Sequence, residues 1–137
     1  MLLYLDANAI IYSIEGIPAL RRAALRWIEE AEASREGVMI TSRLSLLECR
    51  VKPLQERDQA RLARFDGFFE RERLVVAEVN AHVVERATEL RAAHAFRTPD
   101  AIHLATALLE GAEVFLTGDA DLQKCPGLRV ALLTPEE

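Results

Sequence analysis

Lysine is nearly missing from this sequence of 137 residues. Only Lys52 and Lys124 stand among 17 basic residues, the rest being arginine, whose planar fork suits phosphate and carboxylate pairing. Cysteine occurs twice, at Cys49 and Cys125, with no CxxC pair and no cysteine-histidine cluster, so neither a disulfide framework nor a zinc site is indicated. No apolar run approaches the roughly 18 residues of a membrane span, and the first, residues 2–5, stops at Asp6. No signal peptide, anchor or membrane partner is therefore expected, and a reducing cytoplasm is the default compartment. Positive charge is in deficit: 17 basic against 22 acidic residues give a net charge of −5. That is the wrong sign for a protein that grips nucleic acid by a general basic surface, so any such role must be local. P-loop and dinucleotide-binding glycine motifs are absent.

What is present is enough for one core. Half the residues are hydrophobic and 28% charged, and the length suits a single domain over residues 1–137. Residues 2–5 read as a buried strand with Asp6 at its carboxyl tip. Asn8 is placed to cap a helix over residues 9–14. Pro18 opens a second helix, with Leu20, Ala24, Trp27, Ile28 and Ala31 on one face, which Gly37 ends. Residues 38–41 read as strand two. Ser42 caps a helix over residues 43–51 that Pro53 closes, and Leu44, Leu46, Leu47 and Val51 make it read as largely buried. Residues 54–72 read as one long amphipathic helix, residues 74–77 as strand three and residues 81–94 as a helix. In TPDAIHLATALLEG, Thr98 reads as N-cap, Pro99 and Asp100 lie in the first turn, and Gly111 is the stop. Residues 114–116 form strand four, followed by a turn and short helix at 117–122, and residues 130–133 a last strand. Strands alternating with helices predict an α/β three-layer domain with a central parallel sheet of four to five strands.

The chemistry lies in the carboxylates. Of six aspartates, Asp6, Asp100, Asp119 and Asp121 sit at a strand end or in the first turn of a helix. In open parallel sheets ligands bind outside the carboxyl ends of the strands, where the order reverses; if strands one and four are neighbours, Asp6 and Asp119 face each other there. Each acid also has an ordinary role: a cap or Asx turn for Asp6, complementing the helix dipole for Asp100, turn residues for Asp119 and Asp121. Glu48 falls in the helix read as buried, where an unpaired carboxylate is costly. Gathered together, such acids repel unless cations join them. An all-oxygen donor set favours Mg²⁺ or Mn²⁺ over zinc, and sites of that kind act on phosphates.

LDANAII at residues 5–11, SLLE at 45–48, TPDAIHLATA at 98–107 and TGDADL at 117–122 resemble, in order and spacing, the PIN domain, and within it the VapC-type toxins of toxin-antitoxin pairs. The likeness runs from Leu2 to about Leu133, with Ala7 and Leu122 departing from the usual pattern. It implies a metal-dependent endoribonuclease whose acids are Asp6, Glu48, Asp100 and Asp119, with Asp121 a further candidate ligand. Asn8 and Thr117 match positions beside the site that orient its acids. The resemblance also implies an RNA substrate, a VapB-type antitoxin partner and a homodimer. Arg43, Arg50, Lys52 and Arg97 are candidate phosphate contacts, and Trp27, Leu62 and Phe65 a candidate partner face, although each one singly reads first as ordinary core packing. His103 shares a helix face with Asp100 but reads first as a packed or merely oriented imidazole, and Cys49 as packing.

Other classes fit less well. A response-regulator module needs an acidic pair near its start, and Asp6 has no acidic neighbour. A haloacid-dehalogenase phosphatase needs an aspartate where Asn8 stands. The alternative kept open is a non-catalytic PIN-like binding or regulatory scaffold, against which the retention of all four acids counts.

Overall fold

The computed structural model describes residues 1–135; the expected domain extends to 137, and its last two residues lie outside the described ones. Five strands form one parallel sheet in the order β3-β2-β1-β4-β5. They are β1 (Leu2–Leu5), β2 (Val38–Ser42), β3 (Leu74–Ala77), β4 (Val114–Thr117) and β5 (Val130–Leu132). Side chains alternate across a strand, and the two helical layers take alternate residues. Leu3, Leu5, Met39, Val114 and Leu116 pack with Ile10, Ala24, Ile28, Phe65 and Phe68, which lie on α1 (Ala7–Glu15), α2 (Pro18–Ala33) and α4 (Gln59–Phe69). Tyr4, Ile40 and Phe115 face the other way, onto Val83, Leu90 and Leu104 of α5 (Ala81–His94) and α6 (Thr98–Glu110). A sheet buried on both faces explains why its strands read as unbroken apolar runs.

Several boundaries differ from the sequence expectation. Asp6, not Asn8, caps α1: its Oδ1 accepts from Ala9 N at 2.9 Å, so the helix starts at once after the strand. α3 (Arg43–Gln55) runs through Pro53, since a proline removes one hydrogen bond and ends a helix only where nothing else holds it. The long helix expected at 54–72 is interrupted: Arg57 takes φ 54°, and Asp58 then caps α4 through Arg61 N at 3.0 Å. Thr98 is already helical, with Arg97 in the N-cap position. α3 is also less buried than its leucines suggested. Its inward face is Ser45, Cys49 and Pro53, while Leu47, Val51 and Leu54 are 59%, 44% and 60% exposed. Phe65 is core and Trp27 packs against that core, in line with the core packing preferred for each of them over a partner face.

Candidate active site

β1 and β4 lie side by side, with Leu5 in register with Leu116. Chain order reverses between them, so the crevice outside their carboxyl ends is the switch point where ligands bind in such sheets. Asp6 and Thr117 each leave their strand there. The Asp6 carboxylate is buried, with Oδ1 on Ala9 N and Oδ2 taking the Thr117 hydroxyl proton at 2.6 Å. Thr117 Oγ1 also accepts from Asp119 N at 3.1 Å, so one hydroxyl ties the turn after β4 to the acid after β1. Neighbouring β2 is fastened to the same edge, where Thr41 donates to Leu5 O at 2.7 Å and meets Ser45 Oγ at 2.7 Å. Ser42 caps α3 through Leu44 N, which sets Glu48 in that helix's second turn facing the crevice.

A polar cavity of about 170 Å³ opens there, lined by Asp6, Ala7, Asn8, Glu48, Arg97, Pro99, Asp100 and His103. Larger hollows of about 310 Å³ lie at the α3–α4 turn and beside Gly37, away from the carboxyl ends of the strands. Three of the sequence-derived acids, Asp6, Glu48 and Asp100, thus share one chamber. Asp119 follows β4 at the same sheet edge, half-buried, with Oδ1 on Asp121 N at 3.0 Å; the Arg97 guanidinium is raised first by its hydrogen bond to Asp100 and to a lesser degree by Asp119. Asp121 is exposed and turns to Lys124 at 3.2 Å. Asn8 lines the cavity, but among the described residues no hydrogen bond joins it to Asp6; Thr117 does that instead. Of the candidate phosphate contacts, Arg97 lines the cavity and pairs with Asp100 at 3.1 Å. Arg43 is forked onto Glu78, Arg50 donates a single hydrogen bond from Nε to Asp66 Oδ1 at 2.9 Å, and Lys52 is exposed on α3.

His103 is both packed and oriented. Its Nε2 lies 2.7 Å from Glu48 Oε1 and its Nδ1 2.6 Å from the Tyr4 hydroxyl. Tyr4 was not singled out in the sequence. The available signal was a phenol inside an otherwise apolar buried strand, which must find a polar partner.

Burial raises the Asp6 carboxyl above its ordinary value, and Asp100 adds to the rise. His103 opposes it when its imidazole is protonated, and the Thr117 hydroxyl and the Ala9 amide oppose it in either state. A buried carboxylate raised by desolvation and by a second acid is a group that a cation stabilises. Among the described residues no three acidic, histidine or cysteine side chains form a ready-made metal cluster. Magnesium does not need one, because it keeps several of its waters and is held by one or two carboxylates. Asp6, Glu48 and Asp100 supply oxygen donors of the kind that suit a hydrated Mg²⁺ or Mn²⁺.

A family model described as PIN domain matches residues 3–128. The chain belongs to the PIN domain family. Solved structures with the same fold extend the likeness over nearly the whole PIN domain. One is VapBC2 from Rickettsia felis bound to a DNA fragment from its promoter, with TM-score 0.80, 18% identity, and coverage of 98% of this chain and 100% of that one. DNA-bound VapBC from Salmonella typhimurium has TM-score 0.68, 21% identity, and coverage of 98% and 100%. VapC20 from Mycobacterium tuberculosis, a Sarcin-Ricin loop cleaving toxin, has TM-score 0.71, 19% identity, and coverage of 88% and 92%. No curated protein gave a significant match. No helix among the described residues of this PIN domain is long and apolar enough to cross a membrane.

Proposed function

We propose that this PIN domain is a divalent-metal-dependent endoribonuclease, the VapC-type toxin of a toxin-antitoxin pair. The observation that carries the reading is the chamber at the switch point, where Asp6, Glu48 and Asp100 converge beside Asp119. A bound Mg²⁺ or Mn²⁺ supplies charge neutralisation at a phosphodiester and lowers the pKa of a water. Asp6, Glu48 and Asp100 would hold it, directly or through its waters, with Asp119 completing the acid set and Asp121 a further acid on the same turn. The Thr117 hydroxyl fixes the Asp6 carboxylate in place. The Arg97 side chain is 76% exposed where it pairs with Asp100, which suits it to meet a phosphate arriving from solvent. Net negative charge makes RNA binding depend on shape and on such local contacts.

The partner reading extends this. The likeness to VapBC structures supports a VapB-type antitoxin, the family resemblance of the sequence implies a homodimer, and the exposed Leu47, Val51 and Leu54 on α3 offer apolar surface for such contacts. Such toxins act in the cytoplasm, which is the compartment proposed here.

The test is cleavage of a structured RNA mixture with Mg²⁺ or Mn²⁺ and with chelator, beside folded Asp6→Asn and Asp100→Asn variants. Metal-dependent cutting lost in both variants is the expected result. Attack by water leaves a 5′-phosphate and a 3′-hydroxyl, so a cyclic phosphate product refutes the mechanism. Wild-type protein that neither cuts RNA nor binds metal refutes the enzyme and leaves the binding scaffold.

A further inference from the structure

Behind the acidic chamber runs a hydrogen-bonded chain from the centre of the sheet to the cavity wall. Tyr4 is fully buried in β1 and stacks on Phe115 at 4.9 Å with 10° between the rings. Its hydroxyl meets His103 Nδ1, and His103 Nε2 meets Glu48 Oε1. The histidine side chain is 3% exposed and that of Glu48 30%, so the chain ends where the chamber begins. Burying an imidazole among apolar side chains is costly unless both nitrogens are paired, and here both are.

The direction of the chain follows from its ends. An ionised carboxylate can only accept, so the proton between His103 and Glu48 sits on Nε2. The Tyr4 hydroxyl carries a hydrogen of its own, and toward an imidazole whose hydrogen is on Nε2 it donates to Nδ1. The phenol thus selects one imidazole tautomer, and the imidazole holds one oxygen of Glu48. No other hydrogen bond of Glu48 is formed among the described residues, which leaves Oε2 for the chamber.

We propose that His103 is a positioning residue for Glu48: Tyr4 locks its Nε2–H tautomer, and that N–H fixes the carboxylate in the orientation that receives a divalent cation. The inference rests on the metal-dependent nuclease reading and adds two residues to its machinery. Partners that orient a metal-ligating side chain typically change metal affinity by roughly 10- to 100-fold when removed.

The experiment uses the full chain, with Mn²⁺ as probe. Long-range proton-nitrogen spectra of the metal-free wild type give the tautomer directly. His103 carrying its proton on Nε2 is expected, and a proton on Nδ1 alone overturns the proposal. Mn²⁺ affinity is then measured by calorimetry for wild type, His103→Ala, His103→Gln and Tyr4→Phe, each checked for folding by circular dichroism. Affinity should fall roughly 10- to 100-fold in His103→Ala, recover in part in His103→Gln, which restores an N–H toward Glu48, and fall less in Tyr4→Phe. If His103→Ala does not fold, His103→Gln and Tyr4→Phe carry the comparison. Wild-type affinity in every folded variant overturns the positioning role while leaving the nuclease reading intact. Mn²⁺ binding that follows the expected order without cleavage of any RNA supports the positioning role and counts against the nuclease. Wild-type protein that binds no Mn²⁺ overturns both.

Discussion

Thr117→Val tests the link between fold and site most directly, because it changes one hydroxyl into a methyl with almost no change in volume. The side chain is fully buried. Its hydroxyl donates to Asp6 Oδ2 at 2.6 Å and accepts from Asp119 N at 3.1 Å. A hydrogen bond to a charged partner contributes about 1.5–3 kcal/mol, and a part-buried amide left without an acceptor costs about 1 kcal/mol more. The added methyl returns a fraction of this, so the metal-free variant should lose about 2–4 kcal/mol of unfolding free energy. For a chain of this size that is a fall in Tm of roughly 3 °C per kcal/mol. The loss should also depend on pH. The Thr117 hydroxyl opposes the rise that burial imposes on Asp6, so removing it carries the folded-state carboxyl further above its unfolded value. For an acid so raised, the folded state binds the extra proton, and stability is lost as pH rises through the folded pKa. The gap between variant and wild type should therefore be small at low pH, where Asp6 is protonated in both, and widest near neutrality. Urea unfolding across that range in chelator measures it. A gap under about 0.5 kcal/mol, within the range of an ordinary surface substitution, or a gap that does not vary with pH, would refute the reasoning.

Asp6→Asn keeps the cap on Ala9 and removes the buried charge, so the metal-free variant should match or exceed wild-type stability at neutral pH while losing RNA cleavage. Its stability should also lack the decline with rising pH that Asp6 gives the wild type, as denaturant unfolding in chelator would show. The Cys49 thiol is pushed up to about 12, mainly by burial and then by Glu48, so it should resist a disulfide reagent in the native protein and react only after unfolding; rapid native labelling would contradict its placement. A β-carbon at Gly37 would lie 1.7 Å from Ala31 O, so Gly37→Ala should cost about 3 kcal/mol or more. At Gly67, inside α4, a β-carbon meets nothing within 4 Å, and Gly67→Ala should stabilise by roughly 0.5–1 kcal/mol; paired thermal melts check both signs.

The positions that were legible had a strong local cause. Residues 2–5 are an apolar run that stops at Asp6 and residues 74–77 one between Arg73 and Glu78, and residues 81–94 follow Asn80, which caps α5 through Val83 N at 3.0 Å. The misread boundaries were those where two local signals competed. Asp6 and Asn8 are both good caps, and the chain took the first because β1 ends there. Pro53 reads as a stop, but its place in the packed face of α3 carried the helix past it, and the break fell at Arg57 and Asp58 instead. Exposure of Leu47, Val51 and Leu54 could not be read from composition, since a leucine-rich helix looks buried whichever face it turns inward.

By itself the sequence determined the alternation of strand and helix, the placement of acids at strand tips and helix starts, and the family likeness, because each depends on residues close together in the chain. The tertiary structure decided which tips are neighbours. Only the order β3-β2-β1-β4-β5 sets Asp6 beside Thr117, 111 residues away. Only the packing of α6 against the sheet joins Tyr4 to His103 and His103 to Glu48, across separations of 99 and 55 residues. Hydrogen bonds of that span leave no periodic trace in a sequence: they form when the burial of apolar faces has already fixed where each strand and helix lies, and the site is assembled from what that burial brings together.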